Sequence, residues 1–193
     1  MSPAVSLPTA PRRTHPRPTP VTPFIPVVGS GTERERVLHA KTRTTTEATQ
    51  RALSQDVLKV RLILALNRSV TSPVIAEWTA RETSPVVLRR LLRLPNSTGS
   101  HDTILTRLAA VGNPEALANR VATARYTSDT NVIDSAAQGQ DPEIVYAALI
   151  NPNCPTETLL RVCYSSNSPA WKRETVKKHP NCPTEGELSL IHI

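Results

Sequence analysis

The sequence predicts an all-α fold: an α-solenoid of stacked short helix pairs, preceded by a disordered proline-rich tail. Three observations support this fold class. The segment Cys154–Glu157, which reads CPTE, returns as Cys182–Glu185 after a step of 28 residues. Candidate helix starts recur at steps of 27 to 29 residues, and apolar residues recur at fixed positions after those starts. A repeat of this length indicates one supersecondary unit stacked on the next.

Each candidate helix start is a small polar residue, followed in four of the five cases by proline. The polar side chain accepts a hydrogen bond from an unpaired backbone N–H, and proline at the first helical position lacks a donor that would go unpaired. The starts predict helices that begin near residues 57, 85, 114, 142 and 169, and no sheet. The pairs are Asp56-Val57, Ser84-Pro85, Asn113-Pro114, Asp141-Pro142 and Ser168-Pro169.

An apolar stripe follows each start, at the third and seventh residues after it. Residues four apart share one helix face, so these positions predict the buried side of each helix. Lys172 is the one polar residue among them. The ten positions are Val60, Leu64, Leu88, Leu92, Leu117, Val121, Val145, Leu149, Lys172 and Val176. Shorter apolar segments between these helices predict a second helix in each unit, either α or 3₁₀, at residues 74–78, 104–111, 132–137 and 159–163.

Four regions follow along the chain. Residues 1–31 hold eight prolines and no acidic residue, a composition typical of a disordered tail. Within it, 24–28 is either a short docking motif or apolar linker. Residues 32–55 predict an N-terminal helical cap, in which Thr32 and Glu35 match a capping box and a second helix begins near Glu47. Residues 56–187 are the predicted helical repeat array.

The last region, residues 188–193, reads LSLIHI. It can be back-translated as CTG TCT CTT ATA CAC ATC, which resembles an adapter sequence of transposase-based sequencing libraries. We therefore interpret 188–193 as a non-native, adapter-derived tail on a truncated fragment, and expect the natural protein to continue with more repeats. An incomplete last unit would expose the apolar face before it, so we also expect this chain to self-associate through that end.

The segments NPNCPTETLLRV (151–162) and HPNCPTE (179–185) resemble the leucine-rich repeat variant family, whose repeats carry an Asn-Pro-Asn-Cys/Thr-Pro turn before a leucine-bearing helix. The resemblance implies a right-handed solenoid in which an α-helix alternates with a helix that is often 3₁₀. The units here are a few residues longer, which leaves open a HEAT-like array with two α-helices per unit. One family member carries a cysteine-rich iron–sulfur segment, but residues 1–153 contain no cysteine, so that function is not implied.

Motifs for catalysis or cofactor binding are missing from the sequence. No H-E-x-x-H, G-x-G-x-x-G or Walker motif is present, and no carboxylate pair stands out for acid–base chemistry. Three cysteines lack the C-x-x-C spacing of metal sites, so we interpret them as small buried residues, with His179 near Cys182 as a weak metal alternative. We predict no enzyme, no cofactor, no metal and no small-molecule substrate.

Charge is the remaining indication of function. The net charge is +7, of which residues 1–55 contribute +5 and residues 56–193 contribute +2. The basic residues on the predicted repeat helices form a candidate binding surface. They are either a phosphate-binding surface or the solvated face of amphipathic helices. The candidates are Arg61, Arg89, Arg90, Arg93, Lys172, Arg173, Lys177 and Lys178.

These observations predict a non-enzymatic repeat scaffold that binds a protein partner along an extended solenoid face. The alternative is a nucleic-acid-associated protein that uses the basic tail and the basic patches. A continuous positive face would favour nucleic acid, whereas an apolar or mixed groove would favour a protein. The segment 95–100 is either a recognition loop or a neutral insertion. No apolar run approaches the roughly 20 residues that span a bilayer, so we predict no membrane association and a cytoplasmic protein.

Overall fold

A computed structural model describes residues 31–183, and this part of the chain is all-helical, with no strand. The predicted tail, apart from Gly31, and residues 184–193 with the predicted adapter-derived segment lie outside the described residues. The all-α prediction is confirmed for residues 31–183. The α-helices are α1 Glu33–Lys41, α2 Glu47–Leu53, α3 Leu58–Leu64, α4 Ser72–Arg81, α5 Pro85–Leu91, α6 His101–Val111, α7 Leu117–Tyr126, α8 Thr130–Ala137, α9 Pro142–Leu149, α10 Thr156–Tyr164 and α11 Ala170–Lys177.

Two predicted helix starts have the predicted cap. Asp141 accepts hydrogen bonds from the N–H groups of Glu143 (2.9 Å) and Ile144 (3.3 Å), and Ser84 accepts one from Val87 (3.5 Å). Helices α5 and α9 therefore begin at their prolines, as the sequence predicts. The capping box at the start of α1 is also present. The Thr32 side chain accepts the backbone N–H of Glu35, and the Glu35 side chain accepts the backbone N–H of Thr32.

The other three predicted caps are wrong. Helix α7 begins at Leu117 rather than near 114, and Asn113 accepts the N–H of Glu115 (3.0 Å) in a turn before the helix. Asp56 forms an ion pair with Arg36 at 2.7 Å and does not cap α3. The N-terminus of α11 likewise has no side-chain cap.

Seven of the ten predicted stripe positions are buried, and Val121 and Lys172 are half-buried. The exception is Leu117, which is 43% exposed. Because α7 begins late, a different set of its residues faces inward. Asn119 and Ala122 are buried in place of the predicted Leu117 and Val121. The sequence thus predicts the buried faces of α3, α5 and α9 correctly and misplaces that of α7.

Helices α4, α6, α8 and α10 occupy the four shorter apolar segments, and all are α-helices. The 3₁₀ helix of the described range is Pro95–Ser100, the segment predicted as either a recognition loop or a neutral insertion. It is held in place by Asn96, which donates to the Val70 carbonyl (2.9 Å), and by the buried hydroxyl of Ser97, which donates to the Leu94 carbonyl (2.7 Å). No helix of residues 31–183 is long and apolar enough to cross a membrane.

Four pairs of consecutive odd-numbered helices pack on each other: α1 on α3, α3 on α5, α7 on α9 and α9 on α11. The fifth pair, α5 and α7, makes at most marginal contact. Among the even-numbered helices, α2 packs on α4 and α4 on α6. The buried residues form two hydrophobic clusters, one from Ala40 to Ala122 around Trp78 and one from Ala124 to Val176. The clusters meet at α7, where the buried side chains are small.

Most hydrogen bonds between residues distant in sequence join positions 24 to 30 apart. Three buried turn residues show the pattern most clearly, and we call them the turn ladder: Asn67, Asn151 and His179. Asn67 donates to the carbonyls of Ala40 (2.9 Å) and Thr42 (3.0 Å).

Asn151 makes equivalent contacts three repeat steps further along, where it donates to the carbonyls of Ala124 (3.0 Å) and Thr127 (2.9 Å). His179 Nε2 donates to the Asn151 carbonyl (2.9 Å), 28 residues earlier. Each ladder residue also accepts the N–H of the residue two positions later. A buried polar side chain therefore ties each of these turns to an earlier one, and its hydrogen-bonding capacity is satisfied in doing so.

Candidate binding surface

Three of the eight predicted surface residues make contacts inside the fold. Arg61 forms an ion pair with the buried carboxylate of Glu82. Arg90 donates to the Leu62 carbonyl (2.7 Å). Both side chains are half-buried, so these contacts count against a solvated or phosphate-binding role for Arg61 and Arg90, which stays a prediction. Arg89 donates to Asn119 Oδ1 (2.5 Å), which links α5 to α7 and leaves the rest of its guanidinium at the surface.

Most of the remaining basic residues lie near the C-terminal end of the described range. Lys172 sits 5.7 Å from the centre of the Trp171 ring, and Lys177 lies 3.3 Å from Glu174. Lys178 lines a cleft of about 370 Å³ beside His179. Arg173 is half-buried and forms no ion pair with another residue of the range 31–183. This group is separated from the arginines of α5 by α9, whose sequence PEIVYAAL contains no basic residue.

Arg93 belongs to a cleft of about 600 Å³ between α5 and α7, which we call the arginine cleft. Arg89 and Arg93 line it from the α5 side and Arg125 from α7. The side chain of Arg93 is exposed and makes no hydrogen bond or ion pair with the described residues. The guanidinium of Arg125 lies 5.6 Å from the centre of the Tyr126 ring, a cation–π contact that leaves its donors free.

The arginine cleft exists because α5 and α7 fail to close on each other. The residues that α7 turns toward it are Ala118, Val121 and Ala122, which are too short to fill the space. Arg89 spans the gap by its hydrogen bond to Asn119. The sequence analysis did not single out Arg125 and Tyr126, because the repeat spacing placed the start of α7 three residues too early. The predicted stripe residues Leu117 and Val121 are both apolar, so nothing at these positions indicates that α7 differs from the other helices.

A second cleft, of about 620 Å³, lies on the opposite side of α7 and is mainly apolar. Apolar side chains from α7, α8 and α9 line it, among them Ala124, Ala136 and Ile144. Arg120 is its one basic residue. Two open grooves of mixed and apolar character therefore flank the same helix, one on each side.

The carboxylates that are close in sequence have structural partners. Asp129 and Asp141 cap α8 and α9. A hydrogen bond from Thr158 (2.5 Å), with help from Arg161, holds the pKa of Asp134 below its usual value. All three are therefore occupied in ordering helix ends and neighbouring turns, and none is paired with another for proton transfer.

The side chains of Cys154, His101 and His179 have structural roles too. Burial raises the pKa of the Cys154 thiol to about 11, with a smaller contribution from the charge of Asp134, so this thiol is a poor nucleophile. Burial lowers the pKa of His101, whose ring lies edge-on to Tyr126 at 5.0 Å. Both nitrogens of His179 are used in the turn ladder. Within residues 31–183, no group of three potential ligands lies close enough to hold a metal ion.

Comparisons with family models, curated proteins and solved structures give no match for this chain. Its function has to be inferred from the residues and contacts described above.

Proposed function

We propose that the chain is a non-enzymatic repeat scaffold, a solenoid of helix pairs that binds a protein partner along the face of its odd-numbered helices. The observation that carries the proposal is the near-constant sequence separation of its long-range hydrogen bonds, 24 to 30 residues in most cases. Contacts of that kind are expected when each unit touches only its neighbours, the defining property of repeat proteins. Such stacks present extended faces that are suited to binding other proteins.

The turn ladder also supports membership of the leucine-rich repeat variant family. In the Asn-Pro-Asn-Cys turn, Asn151 bonds to the preceding turn and Cys154 is buried in the second hydrophobic cluster. In the next turn Asn181 donates back to the Pro152 carbonyl (2.9 Å), and His179 occupies the place of Asn151. The residues that carry the resemblance therefore have contacts between units, which gives a physical reason for their recurrence.

A protein partner is favoured over nucleic acid by how the basic residues are used. Arg61 and Arg90 are occupied internally, and α9 presents Glu143 and the exposed Tyr146 between the two basic groups. A nucleic-acid backbone is bound by a run of phosphate contacts along a continuous basic track. The grooves beside α7 have instead the mixture of small apolar and charged side chains that is typical of protein interfaces.

Site-specific photo-crosslinking in cells tests the proposal. A photoreactive phenylalanine analogue would replace Tyr146, which is 49% exposed on α9, or, as a matched control, Tyr164, which is 58% exposed on α10. We expect nuclease-resistant adducts to a defined protein from the Tyr146 position and far fewer from Tyr164. Equal adducts from both positions, or adducts that nuclease removes, would contradict a protein-binding face on the odd-numbered helices.

A further inference from the structure

We infer that the arginine cleft binds an acidic segment of the partner protein, with a large apolar side chain of that segment seated between α5 and α7. The inference rests on the proposed scaffold function and specifies the chemistry of its partner. It uses Arg125 and Tyr126, which the pattern of basic residues in the sequence does not single out, together with Arg89 and Arg93.

The charge of the cleft selects for carboxylates. Three guanidinium groups converge on a space of about 600 Å³ and face one acidic residue, Glu143, at its edge. Neither Arg93 nor Arg125 has a carboxylate partner among the described residues. A guanidinium presents parallel N–H donors that match the two oxygens of a carboxylate, so an acidic side chain is the natural occupant.

One of the three arginines is already fixed in position. The 2.5 Å hydrogen bond from Arg89 to Asn119, a 5% exposed side chain, holds the α5 side of the cleft against α7. A donor that is ordered before binding loses less conformational freedom when the ligand arrives. Arg93 and Arg125, by contrast, are exposed and can adjust to the spacing of the carboxylates.

The floor of the cleft selects for an apolar group. Ala118, Val121 and Ala122 leave room above α7, and the ring of Tyr126 closes one end. A volume of this size falls within the range of about 300 to 1,000 Å³ that is usual for ligand pockets. A leucine or phenylalanine side chain flanked by acidic residues would fill the space and bring its carboxylates to the arginines.

Nucleic acid fits the same cleft less well. Beyond Arg125 the surface passes to α9, where Glu143 would repel a phosphate backbone and no basic residue continues the track. The guanidinium of Arg125 lies over the Tyr126 ring, 5.6 Å from its centre, so the ring is not open on both faces for base stacking. A short acidic and apolar peptide matches the length and mixed lining of the cleft.

The experiment measures binding of a fluorescein-labelled peptide in which glutamate pairs alternate with leucine, by fluorescence anisotropy on the full chain. The test variant is Arg93→Glu with Arg125→Glu, which changes two exposed side chains with no hydrogen bond in the described structure. The matched control is Arg43→Glu with Arg68→Glu, two exposed arginines outside the cleft with the same change in net charge. A glutamine-for-glutamate peptide and single-stranded oligothymidylate complete the set of probes.

We expect the acidic peptide to bind the unmodified chain, the cleft variant to lose about tenfold or more in affinity, and the control to stay within about twofold. Raising the salt concentration should weaken the binding, and the glutamine peptide should bind much less tightly. Equal losses in both variants would show non-specific attraction to the net charge and overturn the inference. Tighter binding of oligothymidylate than of the peptide, with the same loss in the cleft variant, would also overturn it and assign the cleft to nucleic acid.

Failure of the acidic peptide to bind would overturn this inference without overturning the proposed function. A protein adduct at position 146 in the crosslinking experiment would still show a partner on the odd-numbered helices. Loss of that adduct as well would contradict the scaffold proposal itself.

Discussion

Replacing Asn151 with alanine should destabilise the protein by about 3 kcal/mol. The side chain is fully buried, donates to the carbonyls of Ala124 (3.0 Å) and Thr127 (2.9 Å), and accepts the N–H of Asn153 (2.9 Å). A hydrogen bond contributes about 0.5 to 1.5 kcal/mol net, and a buried group left without a partner costs about 1 to 3 kcal/mol. Three lost bonds therefore give about 1.5 to 4.5 kcal/mol.

Urea unfolding followed by circular dichroism measures the effect. For a denaturant slope of about 2 kcal/mol per molar, a loss of 3 kcal/mol lowers the midpoint by about 1.5 M. Asn153→Ala is the matched control in the same turn, because Asn153 is exposed and its side chain makes only a 3.4 Å contact with the Thr127 carbonyl. It should cost less than about 0.5 kcal/mol.

Asn151→Asp adds a test of the hydrogen-bond directions. The carboxylate would face two carbonyl oxygens, which disfavours its charged form and raises its pKa in the folded state. A raised folded pKa means that the folded protein binds more protons, so the stability of this variant should increase as the pH falls through that pKa. Equal losses for Asn151→Ala and Asn153→Ala, or a stability of Asn151→Asp that does not improve at low pH, would refute the ladder.

Three further predictions follow from burial. Leu149→Ala should cost about 2 to 5 kcal/mol in urea unfolding, while Leu66→Ala, at a 58% exposed position, should cost less than about 0.5 kcal/mol; similar losses would refute the assignment of the core. Arg90→Ala should destabilise the protein by about 1 to 2 kcal/mol, because it removes the donor to the Leu62 carbonyl, whereas Arg93→Ala should be nearly neutral. An Arg90→Ala variant as stable as the unmodified chain would contradict that hydrogen bond. Cys154 should react with a thiol reagent far more slowly than the other two cysteines at pH 8, because its thiolate forms only near its raised pKa of about 11. Equal reaction rates of the three cysteines in the folded protein would contradict the burial of Cys154.

The all-helical fold could be predicted because the spacing of capping residues and the spacing of apolar residues agree. Ser84 and Asp141 show the strongest case, where a cap, a proline and a buried stripe coincide. The prediction failed at Asn113, because the same side chain that caps a helix also closes a turn by accepting the N–H two residues later. A local motif of two residues does not distinguish these outcomes.

The candidate site was predictable only in part. A row of basic residues in the sequence shows where positively charged side chains recur. It does not show whether a backbone carbonyl or a buried carboxylate accepts their hydrogen bonds. Arg61 and Arg90 bond inside the fold, and Arg125, outside the predicted row, lines the cleft. Arg125 lies outside the predicted row because α7 begins at Leu117 rather than near 114, and the contacts of Arg61 and Arg90 depend on neighbouring helices that the row does not show.

Proton–proton contacts in solution test most directly whether units about 28 residues long stack on one another. Nuclear Overhauser spectra of the isotope-labelled chain should show contacts from the side-chain amide protons of Asn67 and Asn151 to residues 24 to 27 positions earlier. The long-range contacts of the whole helical region should likewise cluster at separations of 24 to 30 residues. Side-chain amides that contact only their sequence neighbours, or long-range contacts without a preferred separation, would contradict the repeat and with it the proposed scaffold.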